Sequence, residues 1–378
     1  MLCFEDKMLK IIKRIANLMF SAVFGKNKNV KEIQLYRRED LVKKRKGINK
    51  KFPKVTFNIP VRNEENSIEK CIKSILDDSY KNKEMVIVDD KSTDKTLQII
   101  RAIQRKSKVP IKIVENEKRL GCALTRINGA SVSTGDFIVF FDAHSVICTK
   151  DYVKNFLKYF ENPEIAAVKG GAVWEPYYYT DFVMSYAGGI RPMREAYEFL
   201  NSAFSMHRKE SFDEVGGFNE LIVWGSDVDI TLKYLEKGWK ICFDSKIKIK
   251  TDHSITPNRW IDFIKKQYLY GTGVSYMLPR HFKELFRRKL EFRIILGGLV
   301  NLSSALIAIF NSRLFWLPFV AILIFRAHSF AIAVRYRSPV KYIIGIPLIL
   351  TLSEISYTLG FIRGLPRRIR NLPSVNYS

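Results

Sequence analysis

Between residues 54 and 143 short apolar runs alternate with helical stripes, and this alternation restricts the fold more than any other feature of the chain. VTFNIP (55–60) precedes Ile68, Cys71, Ile72, Ile75 and Leu76, the i, i+3, i+4, i+7, i+8 spacing of a helix with one buried face. MVIVDD (85–90) leads into TDKTLQIIRAI, a helix for which Ser92 or Thr93 is the expected cap. IKIVEN, a helix through 121–131 and FIVFFDA (137–143) complete the series. Strands apolar along their whole length are covered on both faces, and strand–helix–strand crossovers return the chain parallel. The expected fold class is α/β, a Rossmann-like, mainly parallel sheet with helices on both faces. Ligands of such sheets bind beyond the carboxyl ends of the strands, where Asp89, Asp90 and Asp142 fall.

The C-terminal third has a different character. Residues 294–310, 314–334 and 342–362 are three apolar runs of about membrane-spanning length, framed by Arg and Lys. The expectation is two to three transmembrane helices, with Arg326 and Glu354 pairing inside the membrane because an unpaired charge there is costly. Residues 8–24 place apolar side chains at helical spacing but are too short and charged to span, so they pack on the main domain or lie in the membrane interface. The domain expectation is a basic N-terminal segment (1–51), a catalytic domain (52–278), and a basic juxtamembrane segment with its transmembrane helices (279–378).

The net charge of +25 would ordinarily raise nucleic acid or an anionic membrane as partner. Its distribution decides between them: residues 1–51 carry +10, residues 279–378 carry +12, and the middle only +3. The partners expected are therefore a membrane and no nucleic acid. The five cysteines form no CxxC pair, which argues against a zinc site or a disulfide framework.

The chemistry-bearing residues cluster at strand ends. PVRNEE (60–65) follows the first strand with polar groups. The acids closing VIVDD either cap the next helix or bond a nucleoside. In FFDAHS, Asp142 and His144 are one residue apart and can face one point, which suits a divalent cation that also takes diphosphate oxygens; a structural acid beside a surface histidine has the same spelling. The mixed oxygen and nitrogen set leans toward Mn²⁺ over Mg²⁺. Asp227 and Asp229 open a helix after Gly216 and Gly217, where an acid caps the helix or acts as a general base. His253, after KIKIKTD, is a candidate second imidazole for the metal.

In this order the pieces resemble glycosyltransferase family 2, the inverting nucleotide-sugar enzymes of the GT-A fold, over about residues 54–275. The resemblance implies that Pro60, Arg62, Glu64, Asp90 and Arg119 bind the nucleotide. It places the family's DxD metal motif on Asp142-Ala143-His144, with His for the second Asp. It places the Glu-Asp pair, whose Asp is the catalytic base, on Ser226-Asp227. Gln267 is followed by Tyr270 and Gly271, so the Gln-x-x-Arg-Trp of processive members is missing and single addition is implied. The DAHS form, the YGTG stretch and the apolar tail are similar to membrane-bound transferases of exopolysaccharide assembly, of the succinoglycan type.

The function expected from the resemblance is sugar transfer from a nucleotide-sugar donor to a lipid-linked or polysaccharide acceptor, with Mn²⁺ or Mg²⁺ as cofactor. The enzyme would be a multi-pass protein of the cell membrane with its catalytic domain toward the cytoplasm, because six basic residues between Arg280 and Arg293 precede the first span. Two alternatives remain open: a membrane-tethered nucleotidyltransferase, and an inactive membrane scaffold.

Overall fold

The apolar runs become strands of one mixed sheet in the computed structural model, which describes residues 33–36, 52–175, 200, 203–252, 260–282, 290–310, 312–314 and 340–373. These residues group into two units, an α/β unit within 33–252 and a helical unit within 260–370. The N-terminal stripe 8–24, His253, Arg326 and most of the run 314–334 lie outside the described residues.

In the α/β unit, β1 is Ile33–Tyr36, β2 Val55–Val61, β3 Lys83–Asp89, β4 Ile111–Glu115, β5 Phe137–Phe141, β6 Ser145–Ile147, β7 Ile165–Glu175, β8 Phe204–Arg208 and β9 Lys240–Asp252. Its helices are α1 (Ile68–Asp77), α2 (Thr96–Lys106), α3 (Cys122–Ser131), α4 (Tyr152–Leu157), α5 (Lys209–Glu214) and α6 (Ser226–Glu236). The strand order is β1-β9-β7-β8-β5-β2-β3-β4, with β6 against β9. The four strands expected from the apolar runs form the parallel half, β5-β2-β3-β4. Beyond them the sheet turns antiparallel at β8, which pairs with both β5 and β7.

Both faces of the parallel half are covered. Residues 55–61 and 83–89 are buried along their whole length, as expected of strands without a solvent face. Ile68, Cys71, Ile72 and Ile75 of α1 pack with Phe57, Ile59 and Phe141 on one face. On the other face Ile138 and Phe140 pack with Ile230, Tyr234 and Leu235 of α6.

Two local expectations need correction. Pro60 does not end the first strand: it pairs with Val88 inside β2, and Val61 continues the ladder. Neither Ser92 nor Thr93 caps α2, which starts at Thr96, with the Thr96 N–H on the Asp94 carboxylate at 3.0 Å. Ser92 and Thr93 instead bind Asn63 across the sheet end: Ser92 Oγ accepts from its N–H at 3.0 Å, and the Thr93 N–H donates to its side-chain oxygen at 2.8 Å.

The helical unit holds α7 (Trp260–Met277), α8 (Leu290–Phe310) and α9 (Val340–Ile369). Within α9, Leu348–Ile369 is long and apolar enough to cross a membrane, and Ile295–Ile307 of α8 is a shorter apolar stretch. α9 contacts α7 through glycines: a methyl at Gly271 would fall on the Tyr357 carbonyl, and one at Gly360 on the Tyr268 carbonyl. The YGTG stretch is thus helical, and its first glycine allows close backbone approach.

Candidate active site

The carboxyl ends of β2 and β3 are tied together before any functional side chain is placed. The Glu64 N–H donates to Thr96 Oγ1 at 2.7 Å, the Glu65 N–H to Asp94 Oδ2 at 3.2 Å, and the Lys95 N–H to Glu65 Oε2 at 3.0 Å. Glu64 Oε2 accepts from Ser67 Oγ, which leaves Oε1 to reach the turn after β5.

That turn is Asp142-Ala143-His144-Ser145, closed by the Ser145 N–H on the Asp142 carbonyl at 3.0 Å. Ala143 points into the core, so its two neighbours share the outer side. His144 Nδ1 meets Glu64 Oε1 at 3.1 Å, and His144 Nε2 faces Asp142 Oδ2 at 3.9 Å. Burial would push this imidazole down, but the Glu64 hydrogen bond and the two neighbouring carboxylates outweigh it and hold His144 above its ordinary value. With Nδ1–H donated to Glu64, Nε2 carries the lone pair, the arrangement of a metal-ligating histidine oriented by a carboxylate. Asp142 Oδ2 and His144 Nε2 are the two donors that a divalent cation would take here, a pair and not a group of three among the described residues. The residues present fit Mn²⁺ or Mg²⁺ on this donor set.

Arg126 and Asp227 complete the cluster. Arg126 Nη2 donates to Asp142 Oδ1 at 2.6 Å with only 8% of the arginine side chain exposed. Asp227 stands in the first turn of α6, after Gly225 at φ 87°, a conformation that favours glycine. Its Oδ1 accepts from the Val228 N–H at 3.0 Å. Burial raises the Asp227 carboxyl, while that hydrogen bond and the charges of Lys169 and Arg126 pull it back in part. The next acid in the helix, Asp229, is fully buried and pairs with Lys233 at 2.9 Å, so it serves the core of the unit.

The nucleotide candidates are placed less uniformly. Asp90 is buried: Oδ1 accepts from Asn116 Nδ2 at 3.0 Å and the Leu120 N–H at 2.7 Å, and Oδ2 from the Gly121 N–H at 2.8 Å. It therefore braces the loop before α3. Pro60 is buried within β2, whereas Arg62 and Arg119 are exposed on the loops after β2 and β4. Glu64 lies with the metal candidates, bonded to His144.

Sequence reasoning passed over Arg126 and Lys169, although each left a signal. Arg126 occupies the buried stripe of α3 with Ala123 and Ala130, at i, i+3 and i+7. Lys169 interrupts the apolar run IAAVKGGAV of β7. A cation in such a place is held by a partner that one-dimensional patterning cannot show.

Residues 56–215 match the profile of "Glycosyl transferase family 2". The chain carries a glycosyltransferase family 2 domain. A dolichyl N-acetyl-alpha-D-glucosaminyl phosphate 3-beta-D-2,3-diacetamido-2,3-dideoxy-beta-D-glucuronosyltransferase of Methanococcus voltae is 27% identical over 334 residues, 82% of this chain and 97% of that protein. The O-antigen chain rhamnosyltransferase RfbN of Salmonella typhimurium is 22% identical over 235 residues, 58% of this chain and 72% of that one. Among solved structures, a mannosyltransferase from Pyrobaculum calidifontis in complex with GDP-Man and Mn²⁺ has a TM-score of 0.53 at 18% identity, covering 94% of this chain and 99% of that one. This likeness bears on the fold, which is GT-A. The protein is a glycosyltransferase, and sugar transfer takes the place of the nucleotidyl alternative.

Proposed function

We propose that this glycosyltransferase is a metal-dependent inverting enzyme that moves one sugar from a nucleotide-sugar donor to a lipid-linked or polysaccharide acceptor during glycan assembly. The observation that carries the reading is the juxtaposition of Asp142, His144, Glu64 and Arg126 beyond the carboxyl ends of β2 and β5, with Asp227 in electrostatic reach of Arg126.

Asp142 and His144 would hold the divalent cation, and Glu64 would orient the imidazole. When bound, the ion neutralises charge that builds on the departing diphosphate. Arg126 fixes Asp142 from the other side, so the carboxylate presents one oxygen outward. Asp227 accepts the proton of the acceptor hydroxyl as it attacks the anomeric carbon opposite the leaving group, a contribution of roughly 10²–10⁴-fold. One in-line displacement inverts the anomeric centre. Arg62 and Arg119, exposed on neighbouring loops, and the loop braced by Asp90 receive the nucleotide; His253 is a further ligand candidate.

The acceptor class is supported by the names of relatives, one acting on a dolichyl phosphate-linked sugar and one on an O-antigen chain. A lipid-linked acceptor fits membrane attachment through the C-terminal helices, for which the apolar stretch of α9 and the basic flanks speak. We place the catalytic unit on the cytoplasmic side of a multi-pass protein, where nucleotide sugars are made. The test is metal-dependent release of nucleoside diphosphate from a panel of UDP-, GDP- and dTDP-sugars. The reading expects release with Mn²⁺ or Mg²⁺ and its loss in Asp142→Ala. A protein that binds membranes but turns over no donor would be the scaffold instead.

A further inference from the structure

β7, β8 and β9 present one face toward α6, and their register shows which residues share it. Ala167 pairs with His207, whose ring nitrogen Nδ1 bonds Tyr234 OH of α6 at 2.9 Å. Two residues further along the same ladders, Lys169 pairs with Ser205 on one side and Phe243 on the other, so these three lie on the α6 face as well. Asp227 lies about two turns before Tyr234 on α6. The ladder and the helix thus converge on Lys169 and Asp227. The Lys169 ammonium also stands 5.9 Å from the centre of the Phe204 ring and 5.8 Å from that of Phe243, which limits where it can move.

We propose that Lys169 is the positioning residue of the catalytic base: its ammonium, steadied by two phenyl rings, orients the Asp227 carboxylate toward the acceptor. The inference rests on the reading of Asp227 as the base. The electrostatics agree with the geometry. Burial pulls the Lys169 amine down to about 8, with Asp227 acting against it, and Lys169 in turn lowers the Asp227 carboxyl. Among the described residues, the other groups that act on Asp227 are Arg126 from α3 and the N–H groups of Val228 and of Asp227 itself. Arg126 is already committed to Asp142, which leaves Lys169 as the cation assigned to the base.

The test is Lys169→Met, which keeps an apolar stem between the rings and removes the charge, with Lys169→Arg as rescue. Without the ammonium the carboxyl titrates higher, so the base form is lost at higher pH. The acid limb of kcat should move up by about one pH unit, a loss of about tenfold at pH values below the limb that disappears well above it. The donor KM stays unchanged, and Lys169→Arg returns the limb toward wild type. An equal loss at every pH, or no shift of the limb, overturns the proposal. If Asp227→Asn is inactive and Lys169→Met shows no shift, this inference fails and the base assignment stands; if Asp227→Asn turns over a hydroxyl acceptor normally, the base assignment itself fails. A readout independent of turnover is the carboxyl ¹³C signal that disappears in Asp227→Asn. Its titration midpoint should be higher in Lys169→Met than in wild type, and an equal midpoint overturns the proposal.

Discussion

Glu64 Oε1 and His144 Nδ1 meet at 3.1 Å across 80 residues of sequence, joining the loop after β2 to the turn after β5. This bond makes Glu64 a candidate for orienting His144, beside the nucleotide-binding role that the family resemblance implies. The two roles separate experimentally. If Glu64 orients His144, Glu64→Leu raises the Mn²⁺ concentration needed for half-maximal turnover by about 10–100-fold. Glu64→Gln, which keeps an oxygen acceptor, costs less. A rise in donor KM at unchanged metal requirement would instead return Glu64 to the nucleotide.

Asp227→Asn removes the base and keeps the shape of the site. Transfer to a hydroxyl acceptor should fall by roughly 10²–10⁴-fold while donor binding, measured by nucleotide titration calorimetry, is retained. A polyprenyl phosphate acceptor is already ionised and needs no base, so full activity of the variant on such an acceptor would identify the acceptor class. In the wild type the carboxyl is raised by burial, so turnover on a hydroxyl acceptor should fail on acidification at a pH above the ordinary carboxylate range.

The part of the fold that was legible in the sequence is the part built from local repeats. β2, β3, β4 and β5 are apolar runs separated by amphipathic helices, and each lies where its run placed it within a few residues. The antiparallel strands were harder to see for a physical reason. β7 reads IAAVKGGAVWE, with a lysine and two glycines inside it, and its neighbour β8, FSMHR, carries a histidine and an arginine. His207 and Arg208 are almost fully buried, bonded to Tyr234 OH, Ser205 Oγ and the carbonyls of Phe160, Asn162 and Ile165. Such partners come from distant positions, and a polar strand read by itself looks like a loop. The same limit applies at the site. Asp142, His144 and Asp227 announced themselves as strand-end and helix-start residues, but the placing of Glu64, Arg126 and Lys169 depends on pairings across the sheet.

The contacts of α9 with α7 give a structural prediction. Gly271 and Gly360 each face a carbonyl of the opposite helix, with no room for a methyl group. Gly271→Ala and Gly360→Ala should each destabilise the helical pair by about 1–3 kcal/mol, since the backbones must separate to admit the added carbon. The measurement is the detergent-solubilised melting temperature together with the yield of a disulfide engineered between the helices. Unchanged values in both variants would show that the helices do not pack along these glycines.

His207 makes the stability of the α/β unit depend on pH. Its ring is 1% exposed, bonded to Ser205 Oγ at 2.8 Å and Tyr234 OH at 2.9 Å, and surrounded by Phe140, Phe212 and Phe218. Burial drops the imidazole to about 3, so the folded protein holds it neutral. In the unfolded chain the same group protonates near 6.5. Below that value the unfolded state binds a proton that the folded state refuses, so the contribution is fully present above pH 6.5 and declines as pH falls toward 3. Between pH 6.5 and 5, before most carboxylates titrate, the slope approaches about 1.4 kcal/mol per pH unit. His207→Gln is less stable at pH 8 because the ring packing is lost, but its melting temperature should fall less steeply across this window. Melting curves of the two proteins at half-unit steps decide the matter: parallel slopes would mean that the ring takes up its proton inside the folded unit, and converging ones that burial keeps it neutral.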